Sequence, residues 1–152
     1  MRYHELRKRE IDQVKELLLG NYGFSMPNSW KLYYLGKSKV WVLKEEFFDL
    51  PLERFNVETM GFYLCHFEHD IFRLSIQGAQ IVGKKASKNI LDISLKEAWE
   101  LIRGFDIDKE TGLEATYIIL KSPVGIIGVG KNHKTKVLCQ IKKNRRIRNL
   151  NQ

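Results

Sequence analysis

The chain has 152 residues, 43% of them hydrophobic, and a formal net charge of +8. That is enough for one ordinary domain or two small ones with buried cores, and too apolar for a disordered chain. With 26 Lys and Arg against 18 Asp and Glu, the balance points to a polyanionic partner, either nucleic acid or an anionic membrane. The two cysteines, Cys65 and Cys139, are far apart and form no CxxC, which argues against a disulfide framework and for a reducing cytosol. The charged start MRYHELRKRE has no apolar signal core, and no apolar run approaches a membrane span. These features predict a soluble, cytoplasmic protein with no membrane partner.

In chain order, residues 3–19 read as an amphipathic helix with Leu6, Val14, Leu17 and Leu18 on one side, ended by Gly20. Residues 24–29 form a loop. KLYYL (31–35) and KVWVL (39–43) read as a hairpin joined through Gly36, Lys37 and Ser38. EEFFDLPLERF (45–55) reads as a short helical turn stopped before Pro51, and GFYLCHF (61–67) and IFRLSI (71–76) as strands. The polar stretch Glu68, His69, Asp70 between them suggests a boundary near residue 70.

Residues 77–85 read as a short helix and 88–93 as a short strand. Ser94 with Glu97 three residues on makes a capping box, followed by Leu95, Ala98, Trp99 and Ile102 at helical spacing and closed by Gly104. Three strands follow over 115–121, 125–130 and 136–142. The first is apolar on both faces, as expected inside a barrel or sandwich; the last alternates Val137, Cys139 and Ile141 with Lys136, Gln140 and Lys142, so one face packs and the other meets solvent.

The charge is unevenly placed. Up to residue 120 there are 17 basic and 18 acidic residues; from 121 onward there are nine basic residues and no acid. A single-sign surface repels itself and is normally retained for a partner. The tail KKNRRIRNLNQ alone reads equally as a solvated, frayed end; strands and tail together favour phosphate binding. RNA fits better than DNA, because there is no helix-turn-helix, no zinc-finger spacing and no long basic helix for a major groove.

Few motifs carry chemistry. GIIGVGK (125–131) is not GxxxxGK[ST] and opens no helix, so its glycines serve either strand packing or close approach of an RNA backbone. On a strand, Cys65 and His69 share a face and His66 points away, so the three do not converge on a metal. His4 and His133 read as surface residues. Asp92, Asp106 and Asp108 fall near element ends, where capping is expected.

The stretch 71–147 resembles a PUA domain, the module of pseudouridine synthases and archaeosine transglycosylases. The resemblance lies in FRLSIQGAQIV (72–82), RGFDI (103–107), TYIILK (116–121), GIIGVGK (125–131) and QIKKNRR (140–146), in that order. Where related closing segments often carry a proline and an acid, this chain has Lys142, Lys143 and Asn144. YGFSMPNSWKLYYLGKSKVWVL (22–43) and MGFYLCHFEHDIFRL (60–74) resemble the pre-PUA domain of archaeal and nucleolar ribosome-assembly factors, a pairing similar to the C-terminal region of Sun-type rRNA cytosine methyltransferases.

The resemblance implies an α+β chain: a small α/β pre-PUA domain over 1–70, then a PUA mixed-strand pseudo-barrel with a basic tail over 71–152. It implies a non-catalytic RNA-binding protein, acting on rRNA or tRNA in ribosome assembly or RNA modification, without cofactor or metal. Phosphate contacts are expected from Lys121, Lys131, Lys136, Lys142, Lys143, Arg145 and Arg146, extended by Lys84, Lys85 and Arg73. The alternative is an adaptor that docks to an RNA-modifying methyltransferase or assembly factor through its N-terminal domain, with Trp30 and Phe47 as anchors.

Overall fold

Short apolar runs separated by glycines and polar turns dictate small sheets joined by brief helices. In chain order these are β1 (Tyr3–Glu5), α1 (Lys8–Tyr22), β2 (Trp30–Leu35), β3 (Lys39–Lys44), β4 (Phe62–Glu68), β5 (Ile71–Leu74), α2 (Ile76–Gly83), β6 (Ile90–Asp92), α3 (Leu95–Ile102), β7 (Ile107–Asp108), β8 (Tyr117–Ser122), β9 (Gly125–Asn132) and β10 (Lys136–Cys139). The computed structural model describes residues 3–44 and 61–147. The helical turn expected over 45–55, with Phe47, lies outside the described residues. Among the described residues, no helix is long and apolar enough to cross a membrane.

The first sheet runs β1-β2-β3-β4-β5, each strand antiparallel to the next. The N-terminal helix does not begin at residue 3: Tyr3, His4 and Glu5 extend and pair with Leu35, Tyr34 and Tyr33 along the edge of β2. Nor does it stop at Gly20. It runs on to Tyr22 because Gly23, at φ 64°, adopts the left-handed cap that returns the amides of Gly23 and Phe24 to the Leu19 and Leu18 carbonyls. Val14, Leu18 and Tyr22 form its buried stripe. The polar break at Glu68, His69 and Asp70, expected to divide the chain, is the tip of the β4–β5 hairpin, and the chain leaves the first sheet only after Leu74.

The second sheet has the order β6-β8-β9-β10-β7, with β6 parallel to β8 and the remaining pairs antiparallel. Leu91 of one edge strand and Ile107 of the other belong to one core with Ala98, Leu101, Ile118, Leu120 and Val137. Two opposite edges can share a core only if the sheet curls, which gives the mixed pseudo-barrel. The two-faced apolar run of β8 is used as expected: Ile118 and Leu120 enter this core, whereas Ile119 enters the core under the first sheet. The last strand ends at Cys139, short of the expected 142, and the chain turns through a 3-10 turn at Lys143–Arg145.

Helix α2 binds the two sheets together. Ala79 and Val82 are fully buried in a core shared by Val40, Leu64 and Phe72 of the first sheet and Ile119 and Val129 of the second. Ser75 caps the helix by accepting from the Gly78 amide at 2.8 Å, and its hydroxyl donates to the Tyr63 carbonyl. Gly78 sits so close to β4 that a Cβ would lie inside the van der Waals radius of the Leu64 carbonyl oxygen. The C-terminal end of α1 adds further ties: the Tyr22 hydroxyl donates to the Tyr117 carbonyl at 2.8 Å, and the Ser87 amide to the Tyr22 carbonyl at 2.8 Å.

The capping box of α3 forms as read: the Glu97 amide donates to Ser94 Oγ at 3.1 Å and the Ser94 amide to Glu97 Oε1 at 2.9 Å. The stripe beneath it is rotated from the one expected. Ala98 and Leu101 are buried, while Leu95 and Trp99 are 45% and 39% exposed.

Two tests follow from this packing. Gly78→Ala drives a methyl into a backbone carbonyl that has no room to retreat, and should cost roughly 1–3 kcal/mol, read as a lower denaturant midpoint at unchanged slope. Burial raises the Glu97 carboxyl, but the Ser94 amide and Lys109 at 3.0 Å outweigh it, so it is held below its ordinary value. Its contribution is therefore complete above the ordinary carboxylate range and lost as pH falls through the folded value. Melting temperature measured against pH should fall less steeply on the acid side for Glu97→Gln than for the parent chain, from a starting stability about 1 kcal/mol lower.

Candidate nucleic-acid interface

A cleft of about 560 Å3 opens where the first sheet, the start of α2 and the second sheet meet. Among the described residues its lining carries four cations, Lys39, Arg73, Lys142 and Arg145, and no carboxylate. They arrive from different parts of the fold: Lys39 from the β2–β3 hairpin, Arg73 from β5, and Lys142 and Arg145 from the closing segment after β10. None of the four makes an ion pair with a described acid.

The cations gather around aromatic rings. Trp41 and Tyr63, opposed across β3 and β4, are stacked with centroids 5.5 Å apart at 29°. Lys39 Nζ lies 5.8 Å from the Tyr63 ring centre, and the Arg73 guanidinium 5.9 Å from that of Tyr117, within cation–π reach. Burial, then Cys65, push the Tyr63 phenol up, while Arg73 and Arg145 pull it down, so both guanidiniums act on this one ring. His66, opposite Arg73 in the ladder, is held below its usual value by burial and by Arg73, which together outweigh Glu68 at 3.9 Å.

Strand register extends the positive face. Lys131 is directly opposed to Tyr117, so the two share the face of the second sheet that meets Arg73. Gly128, at φ 142°, bends β9 along the floor of the cleft, where the backbone comes close to Ile76.

Of the residues singled out from the sequence, the fold brings Arg73, Lys142 and Arg145 into the cleft and Lys131 onto its flank. Lys143 is exposed on the adjoining 3-10 turn. Lys136 is instead matched to Asp108 at 3.8 Å, and Lys134 to Glu114 at 3.4 Å, because the loop before β8 and strand β7 bring acids from the first part of the chain against the basic strands. Arg146 is used structurally: its Nε donates to the Ile141 carbonyl at 2.9 Å and its side chain packs over Gly104. Lys84 and Lys85 are exposed at the far end of α2 from the cleft, and Lys121 is exposed beside Asp92 of β6.

Lys39, Trp41 and Tyr63 were not anticipated. Alternation along β3 and β4 could have put them on the face away from Val40 and Val42, but nothing in those strands indicates that the closing segment returns to them. Trp30, an anchor in the adaptor reading and otherwise a core residue, packs into the first core between Phe24 and Phe62, with ring centres at 5.7 and 5.3 Å. Cys65 is fully buried and its thiol is pushed up by burial, while His66 lies outside that core and His69 is exposed at the hairpin tip.

No protein-family model matches the chain. Among curated proteins it is 25% identical over 129 residues to the ribosomal RNA small subunit methyltransferase F of Vibrio atlanticus, an alignment covering 85% of this chain and 27% of that protein. The chain thus spans about a quarter of the length of that relative. Among solved structures it superposes on a conserved PUA domain protein from Thermoplasma acidophilum with a TM-score of 0.60 at 14% identity, covering 95% of this chain and 97% of that one. The curled second sheet, the helix that joins it to the first and the whole-chain superposition agree: the chain has the fold of a PUA domain protein.

Proposed function

We propose that this chain is a non-catalytic RNA-binding protein that grips structured RNA by its phosphates, in ribosome assembly or RNA modification. The observation that carries the reading is the cleft with four cations from three separate segments and, among the described residues, no carboxylate on its walls. Like charges gathered around one cleft repel one another unless an anion is supplied. The positive face continues over Lys131 and Lys143, so the grip extends beyond the cleft itself.

Two further findings support RNA as the anion. The fold is that of a PUA domain protein, and the curated relative is named for modification of ribosomal RNA. A ribosomal or transfer RNA is the class of partner we assign.

A salt series with a fluorescent hairpin RNA tests this. Each phosphate neutralised on a duplex contributes about −0.9 to the log–log slope, so four contacts should give roughly −3.6. Arg73→Gln combined with Arg145→Gln should weaken binding to all sequences alike and flatten the slope by about 1.8. Lys134→Gln, which removes a cation already matched to Glu114, should leave affinity within about twofold, the small worth of an exposed pair. A flat salt response in the parent chain would sink the reading.

A further inference from the structure

We propose that the cleft is a subsite for one unpaired nucleotide, whose base stacks on the Trp41–Tyr63 pair while its own phosphate and those on either side meet Lys39, Arg73 and Arg145. The inference rests on the RNA reading above and adds what kind of RNA element enters.

The wall of the cleft contributed by the first sheet is aromatic as well as cationic. Phosphate binding alone has no use for a stacked Trp–Tyr pair, half-buried and lining the same space as the cations. A ring pair in the lining of a cleft offers a base an aromatic surface to stack on, and stacking of this kind tolerates any base because each has a π face. The cations surround these rings, so a base lying on them would carry its phosphate into their reach.

A second observation concerns Trp41 itself. Its indole Nε1 is buried with no hydrogen-bond partner, alone in this respect among the described residues. A buried donor left unmade is costly, and such groups are rare in native structures. A base carbonyl or ribose oxygen would supply the acceptor once the ring pair shifts to open this nitrogen to the cleft.

Size selects between paired and unpaired RNA. At about 560 Å3 the cleft is within the range of small-ligand sites of roughly 300–1,000 Å3. One nucleotide enters such a space. A base pair within a stacked duplex does not, since its faces are covered by its neighbours and its edges are engaged. The duplex would rest on the flanking cations Lys131 and Lys143 while an end, bulge or loop delivers its free base to the cleft.

The test uses the full chain and two RNAs: a blunt-ended duplex with no loop, and the same duplex with a short unpaired tail containing 2-aminopurine. The tailed RNA should bind roughly tenfold more tightly than the blunt one, and the 2-aminopurine fluorescence should be quenched on binding. Tyr63→Leu should collapse the ratio between the two affinities towards one, while Tyr63→Phe, which retains the ring, should preserve it. The quenching is read on the parent chain, so the subsite is tested even if Tyr63→Leu does not fold. Equal affinity for the two RNAs with a steep salt response would overturn the nucleotide subsite and leave the electrostatic grip standing. Failure to bind either RNA at low salt would overturn both.

Discussion

The close seating of α2 against β4 is the contact on which the arrangement depends. Gly78 permits it, because the missing side chain lets the helix backbone reach the Leu64 carbonyl. Ser75 reinforces it by capping the helix with the same hydroxyl that bonds the Tyr63 carbonyl. With the helix there, Ala79 and Val82 can pack on both sheets at once, and the two sheets share one core rather than meeting across a polar interface. The start of α2 then forms one end of the cleft. Arg73, three residues before the helix, is carried to its rim on β5.

Electrostatics within this frame divide the basic residues into two groups. Those near the loop before β8 and near β7 are met by Glu114 and Asp108. Those around the cleft are not. The separation matters because exposed matched pairs contribute little and present no net field, whereas unmatched cations beside low-dielectric aromatic walls focus a positive potential into the space between them. Burial raises the Tyr63 phenol while Arg73 and Arg145 lower it, so an apolar wall and positive charge meet at this ring.

Much of the local structure in both sheets was legible from residues alone. The capping box at Ser94 and Glu97, the two-faced β8 and the hairpin at Gly36 are local signals, set by neighbours in sequence, and each forms as read. The misreadings have a common physical source in long-range contact. Residues 3–5 have a helical pattern yet extend, because the edge of β2 offers unpaired backbone groups. The first helix passes Gly20 because Tyr22 gains a buried site and a partner in Tyr117, 95 residues away. Trp99 belongs to a helical stripe by spacing, but Leu101 takes the core position and leaves it at the surface.

The amino-acid order by itself determined most element types, the mixed α and β character and the acid-free concentration of positive charge after residue 120, since these follow from local periodicity, capping chemistry and composition. Tertiary structure alone decided which of those charges act together. Lys136 and Lys142 look equivalent along the chain, yet one faces Asp108 and the other lines the cleft. Lys39, Trp41 and Tyr63 have no local mark of a site at all. They become one because the chain folds back after β10 and brings Arg145 to a strand some eighty residues earlier, a distance that no periodicity encodes.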